Sequence, residues 1–259
     1  MQENTFLFLE RWFHTYVQDF YSIDVKLDFH VRLKEEHTLR VVRQTTAIAA
    51  WLNCSSKTLQ LAKIAALLHD IGRFKQYQMY RTFNDGLSVN HATLGIEVLE
   101  QSDILNIANV SLEEQDMIKW AILYHNCRRL PQVVQDEYLL LAKMIRDADK
   151  LDIFSMLVTD DVTSKIPQVP EIIQKMTYSS SVVTDILQGN LVKPHDSKTA
   201  ADLILFRLSW IYDIYFNYSF RYILQQQYIE KLRDMLPDTD ERYRIYQVIR
   251  QYVIERIEE

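Results

Sequence analysis

The pair His69-Asp70 stands directly after the apolar run at 65–68 and carries the clearest chemical signal in the chain. A carboxylate beside buried apolar residues is costly unless it is paired or bound to a metal. Imidazole and carboxylate together suit zinc, manganese, iron or nickel. His37 precedes the pair on one expected helix and Asp149 follows on another. If these three helices converge, their side chains would form one metal site.

The flanks of these residues resemble the HD superfamily of metal-dependent phosphohydrolases. The order His37, His69-Asp70, Asp149 resembles its H…HD…D signature, ALLHDIGRF its helix ending in HD-I-G-[RK], and IRDADKLDIF its closing D-A-D-[RK]-L-D segment. The resemblance covers about residues 33–157. It implies an all-α fold, an HD-domain helical bundle with a C-terminal helical extension. It also implies that these four residues hold a metal ion, with Asp147 as the alternative to Asp149.

Two further histidines, His91 and His125, fall inside the same span. The order resembles the H…HD…H…H…D pattern of the two-metal branches, which include phosphodiesterases. The likeness implies a second ion bridged by Asp70, so the expected cofactor is one or two divalent ions of Mn, Fe, Ni, Co or Zn. The alternatives are a helix N-terminal residue for His91 and a helix-dipole contact for His125. The GYP motif of the HD-GYP type is missing after His125, which disfavours cyclic-di-GMP as the substrate.

Phosphoester hydrolysis is the activity that the resemblance implies, with a metal-activated water as the nucleophile. The charge of the phosphoryl group requires cations, and several follow the expected ligands closely: Arg73, Lys75, Arg128, Arg129 and Lys150. Arg73 and Lys150 are the best candidates for phosphate contact and, with Asp70, for catalysis. Lys75 and Arg128 are further candidates for substrate binding. On this interpretation Arg73→Ala leaves the metal content intact and weakens catalysis.

The expected substrate is a small phosphoester, a nucleotide in first place. Two alternatives use the same residues. One is a di-iron oxygenase of the HD type, which iron content with oxygen-dependent turnover would identify. The other is a non-catalytic helical module that binds a nucleotide, which ligand binding without turnover would identify.

Composition narrows the class of protein further. The net charge of -6 over 259 residues disfavours a nucleic-acid partner. The two cysteines, Cys54 and Cys127, lack the spacing of a zinc ribbon. No apolar run approaches the roughly 18 residues of a membrane span, so a cytoplasmic protein without a membrane partner is expected. Aromatic residues crowd the segment 210–222, which predicts burial against the core or at a homodimer interface.

Only 4 Gly and 5 Pro occur, which favours long helices over tight turns. We predict one all-helical domain with an HD core at about 30–157 and an extension at about 158–259. Ser55 or Ser56 is expected to cap one helix, Gly72 to end it, and Ser111 to open another with a capping box. Breaks are expected at Pro167 and Pro170 and again at 189–194. Periodicity predicts helices over 3–25, 36–52, 91–100, 111–125, 137–154, 198–236 and 241–257, with a loop at 76–90.

Overall fold

The computed structural model describes residues 3–131, 135–159 and 176–259. Those residues are largely helical and contain no strand, which confirms the all-α class. The helices are α1 (Glu3–Gln18), α2 (Val25–Trp51), α3 (Ser56–Leu68), α4 (Ile71–Tyr80), α5 (His91–Ser102), α6 (Ile104–Ile107), α7 (Leu112–Tyr124), α8 (Asp136–Val158), α9 (Ser180–Leu187), α10 (Ala200–Leu208), α11 (Asn217–Gln225), α12 (Tyr228–Asp234) and α13 (Asp240–Glu258).

The chain divides into two compact units, Met1–Asp152 and Ile153–Glu259. The single-domain arrangement with its core at 30–157 stays a prediction, as do the homodimer and the cytoplasmic location. The break expected at Pro167 and Pro170 lies outside the described residues. Within the described ranges, no helix combines the length and the apolar character needed to cross a membrane.

Helix α3 forms the centre of the first unit. Every residue from 64 to 69 is 0% exposed, because α1, α2 and α7 all pack against this helix. The apolar C-terminal half of this helix is buried on all sides and gains from the removal of its surface from water. Its last turn therefore presents His69 and Asp70 from a fixed position in the core.

Side-chain caps set the starts of the helices that carry the site. Ser55 caps α3, and Ser111 forms the predicted capping box with Glu114 at the start of α7. The side chain of Asn90 accepts hydrogen bonds from the amides of Ala92 and Thr93, so α5 begins at His91. The cap thereby places the His91 imidazole at the first turn of a helix.

Several predicted boundaries in the first unit are wrong. Helix α1 ends at Gln18, and Asp24 caps an α2 that starts eleven residues earlier than expected, at Val25 instead of residue 36. Gly72 does not end a helix but lies inside α4, where it allows a close approach of α5. The predicted loop at 76–90 is helical up to Tyr80, where Arg81 ends α4 in a left-handed conformation.

The predicted long helix at 198–236 is wrong as well. The segment holds three helices, separated by a 3-10 turn at Ser209–Asp213 and by Gln227, which has a φ of 56°. Neither break contains Gly or Pro, so helical periodicity continues across both of them in the sequence. The final helix and the break at 189–194 are confirmed, and Gly189 has a positive φ of 73°.

Candidate metal centre

Asp70 lies at the corner between α3 and α4, is 3% exposed and points one carboxylate oxygen at each of two histidine pairs. Its Oδ2 lies 3.6 Å from His37 Nε2 and 3.7 Å from His69 Nε2. Its Oδ1 lies 3.3 Å from His91 Nε2 and 3.8 Å from His125 Nε2. A carboxylate between two sets of nitrogen donors has the arrangement of a bridging metal ligand.

The spacing of these atoms fits ligands of a common ion. Ligands at about 2.1 Å from one ion in tetrahedral geometry stand about 3.4 Å apart. Asp149 belongs to the same cluster, since its Oδ1 lies 3.2 Å from His37 Nε2. Asp147 lies two positions earlier on α8, about 200° around the helix from Asp149. The six residues expected to bind metal are thus brought together.

We call the group of Asp70 Oδ2, His37, His69 and Asp149 the first site. The second site consists of Asp70 Oδ1, His91 and His125. The close groups His37, His69, Asp70 and Asp70, His91, His125 each offer three atoms within 4.8 Å of one another.

Two of the imidazoles are oriented by backbone carbonyl oxygens. His69 Nδ1 donates to the carbonyl oxygen of Ala66 at 2.7 Å, and His125 Nδ1 donates to that of Ile122 at 2.6 Å. A carbonyl oxygen only accepts hydrogen bonds, so Nδ1 carries the proton in both rings. The Nε2 atom of each ring therefore presents a lone pair to Asp70.

The other two imidazoles are oriented by carboxylates. His37 Nδ1 donates to Asp152 Oδ2 at 2.7 Å, and His91 Nδ1 donates to Asp85 Oδ2 at 2.7 Å. Metal-binding histidines characteristically donate their second ring nitrogen to a carboxylate or a carbonyl in this way. All four rings are thus prepared to bind through Nε2.

The Nε2 atoms have no satisfactory partner within the described chain. That of His69 is buried and has no hydrogen-bond partner there. That of His37 is buried and faces a carboxylate oxygen of Asp149 at 3.2 Å, an arrangement that requires a cation between the two atoms. Those of His91 and His125 lie 3.0 Å apart, and both present lone pairs. Buried acceptors that face one another are unfavourable unless a cation lies between them. The donor set therefore fits divalent metal ions.

The ionisation of the cluster also suits a metal. Burial, together with the neighbouring rings, holds the pKa of His125 well below its usual value, and burial likewise lowers the pKa of His69. Burial opposes ionisation of Asp70, but Lys34, His69, Arg73 and His91 together outweigh it, and the pKa of this carboxyl lies well below its usual value. Metals bind neutral imidazole and ionised carboxylate.

His37 differs from the other rings. Burial disfavours its charged form, yet its contacts with Asp149 and Asp152 outweigh burial, and the pKa of His37 is raised. Its Nε2 therefore attracts a cation more strongly than the other rings do. A metal ion at the first site would therefore compete with a proton for this nitrogen.

Three residues around the cluster were not predicted from the sequence. Lys34 Nζ lies 2.7 Å from Asp70 Oδ2, while Asp85 and Asp152 hold the two histidines described above. Lys34 lies three residues before His37, and Asp152 lies three residues after Asp149. Residues three apart lie on the same face of a helix, so this spacing indicated that both side chains could reach the site. No such signal marks Asp85, because a turn alone accounts for its Asn-Asp-Gly sequence.

The basic residues that were predicted to contact the substrate differ in their surroundings. Arg73 Nε lies 3.4 Å from Asp70 Oδ1, and its Nη1 donates to Asp85 Oδ1 at 2.9 Å. Arg73 thus supports the partner of His91, and the expectation that Arg73→Ala leaves metal content intact no longer follows. Lys150 is 8% exposed. Lys75 is half-buried and Arg128 is exposed, and substrate contact by these three residues stays a prediction.

Comparison with known proteins agrees with this geometry. The model of the HD domain family matches residues 35–153, a span that contains all six candidate ligands. Searches among curated proteins and among solved structures each gave no match. Proteins with an HD domain bind divalent metals and form a superfamily of metal-dependent hydrolases. Residues 35–153 of this chain therefore form an HD domain.

Proposed function

We propose that this chain is a phosphohydrolase that uses two divalent transition-metal ions to cleave a small phosphoester, with a nucleotide as the expected substrate class. The observation that carries the proposal is the position of Asp70 between two histidine pairs, at 3.3–3.8 Å from all four Nε2 atoms. Manganese, iron, nickel, cobalt and zinc all suit such a set of nitrogen and oxygen donors. A pair of ions would favour phosphodiester or dinucleotide chemistry over that of a simple nucleotide monophosphatase.

Ions in the two sites would lower the pKa of a bound water towards neutrality and would neutralise charge on the phosphoryl oxygens. The chain's own residues supply the rest of the centre. Asp70 fixes the position of the two sites relative to one another, and the buried rings keep bulk water away from the donors. Lys34 and Arg73 place positive charge at the two oxygens of Asp70, where an anionic substrate would arrive.

Further residues take proposed roles in substrate binding. Lys150 and Arg73 are proposed to contact the phosphate and act in catalysis with Asp70, and Lys75 and Arg128 to contact the remainder of the substrate. Lys34 joins this set because its ammonium group lies at the first site.

The function is tested by metal analysis of the purified protein, followed by a screen of nucleotides and phosphodiesters with manganese, iron or nickel. We expect two ions per chain and release of phosphate or of a phosphomonoester. His69→Ala is expected to lose the first-site ion and the hydrolytic activity, since it removes a buried ligand. Asp116→Asn, on the exposed face of α7, is the matched control and is expected to behave as the wild type.

Four outcomes would contradict the proposal. Wild-type protein without metal, or equal metal in His69→Ala, would remove the metal centre. Iron content with oxygen-dependent turnover and no phosphate release would identify a di-iron oxygenase instead. Binding of a nucleotide to metal-loaded protein without any turnover would identify a binding module.

Metal binding is expected to raise the thermal stability of the chain. The four Nε2 lone pairs meet no cation in the metal-free protein, and ions that bind only the folded state stabilise it by mass action. At a free metal concentration of 100 times Kd the gain is about 2.7 kcal/mol per site. Thermal melts in EDTA and in excess Mn²⁺ measure it. Identical melting temperatures would show that the cluster does not bind this ion.

A further inference from the structure

The two sites share a pattern in how their histidines are held. Each site has one ring that donates to a backbone carbonyl, His69 in the first and His125 in the second. Each site also has one ring that donates to a carboxylate, His37 to Asp152 and His91 to Asp85. The two carboxylates lie in different segments of the chain, α8 and the turn between α4 and α5.

Asp85 connects the second site to the surrounding helices. Besides His91, its Oδ1 accepts from Arg73 Nη1 and from Gln76 Nε2, each at 2.9 Å. Its Oδ2 accepts from Asn126 Nδ2 at 3.2 Å, directly after His125. Gln76 is 0% exposed, so the anchor of this turn is part of the core. The carboxylate is thus fixed by partners on both sides of the second site.

Asp152 has the corresponding position at the first site. Its Oδ1 accepts from Arg40 Nε at 2.6 Å, and its Oδ2 accepts from Arg40 Nη2 at 3.1 Å. This two-pronged contact fixes the plane of the carboxylate, which in turn fixes the ring of His37. Its side chain is 3% exposed, whereas that of Asp85 is 29% exposed.

We propose that Asp85 and Asp152 are separate positioning residues for the two metal sites, Asp85 for the second through His91 and Asp152 for the first through His37. Each carboxylate keeps the Nε2 lone pair of one ring aimed at Asp70, and no described contact joins the two carboxylates. The inference rests on the proposed two-ion function. It adds that the affinities of the two sites can be changed one at a time.

In this arrangement the first site is expected to bind a divalent ion more tightly than the second site. It has a second carboxylate, Asp149, whereas the second site has Asp70 alone among the described donors. Two negative charges hold a divalent ion more tightly than one. Titration of metal into the wild type should therefore show two separate affinities, the weaker of which belongs to the second site.

The test is calorimetric titration of Co²⁺ or Mn²⁺ into the full chain after chelation, for the wild type, Asp85→Asn and Asp152→Asn. Loss of an outer carboxylate partner typically weakens metal binding about 10–100-fold. Asp85→Asn is expected to weaken only the weaker site by this factor, and Asp152→Asn only the stronger. Asp116→Asn serves as the control for a change of charge without a site contact.

A double-mutant cycle separates positioning from general destabilisation. In the background of His91→Ala, Asp85→Asn should have no further effect on metal affinity, because the ring that it positions is gone. In the same background Asp152→Asn should retain its full effect. If Asp152→Asn fails to fold, Arg40→Gln replaces it, because it removes both contacts that fix the Asp152 carboxylate.

The outcomes are distinguishable. Two ions in the wild type with unchanged affinities in both variants would overturn the positioning roles and leave the proposed function standing. Equal weakening of both sites in each variant would show one indivisible cluster and would also overturn them. A wild type that binds no metal would overturn the proposed function together with this inference.

Discussion

Asp70→Asn is expected to remove both metal ions and to lower kcat/KM by about 10³-fold or more, the effect of losing several kcal/mol of metal-derived stabilisation. The carboxylate supplies one oxygen to each site, so its loss affects all four histidines together. It also leaves the ammonium of Lys34 beside the rings without the carboxylate that it contacts, and it leaves Arg73 with Asp85 as its carboxylate partner. The remaining positive charge would repel incoming ions.

Two single-site variants provide the comparison. Asp149→Asn is expected to empty only the first site, and His125→Ala only the second, because each residue contacts one half of the cluster. Metal content by mass spectrometry and phosphate release are measured for all three proteins, with circular dichroism to verify helix content. Two ions retained in Asp70→Asn, or the same loss in all three variants, would contradict a bridging role for Asp70.

The candidate ligands could be predicted because their neighbours in sequence carry information. The apolar run before His69 requires burial, and a buried histidine-aspartate pair requires a partner. The histidines at 91 and 125 were placed by their order in the chain, and the structure brings both to Asp70. The caps at Ser55 and Ser111 were predictable for the same local reason, since each satisfies amides within three residues.

The supporting residues depend on contacts between distant segments. Asp152 meets His37 across 115 positions, and Lys34 meets Asp70 across 36. Nothing in the residues around Lys34 specifies which carboxylate its ammonium group will find. The role of Asp85 is harder to predict, because an Asn-Asp-Gly sequence is typical of a turn. The turn alone accounts for an aspartate at this position, so the sequence gives no indication of its bond to His91.

The broken helix in the second unit shows the limit of periodicity. Residues 198–236 keep helical spacing through the turn at Ser209–Asp213, yet the α-helix ends there and Ile214 is extended. Tertiary contacts stabilise the break, since Tyr212 donates to the carbonyl oxygen of Ile186 at 2.8 Å and Ser209 accepts from the amide of Val192. Such contacts outweigh local helix propensity, which amounts to less than about 1 kcal/mol per residue.

Gly72→Ala is expected to destabilise the fold by about 3 kcal/mol, at the upper end of the usual cost of overpacking. A Cβ at this position would lie 2.2 Å from the carbonyl oxygen of His91 and 2.6 Å from the amide nitrogen of Gly95. Both obstacles are backbone atoms of α5, so a change of rotamer cannot relieve the clash. Helix α5 must move until the contact reaches at least 3.4 Å, which ordinary van der Waals contact requires.

That movement displaces the second site, because the residue that is pushed away is His91 itself. A displacement of about 1 Å in a catalytic group costs on the order of 10²-fold in rate, so activity should fall further than stability alone requires. Thermal melts and metal titration of Gly72→Ala measure the two effects. Gly86→Ala is the matched control, since its Cβ would meet only the Asn84 side chain, at 3.3 Å on an exposed turn. Wild-type stability and second-site affinity in Gly72→Ala would show that α4 and α5 do not need this close approach, and that Gly72 has no part in placing His91 against Asp70.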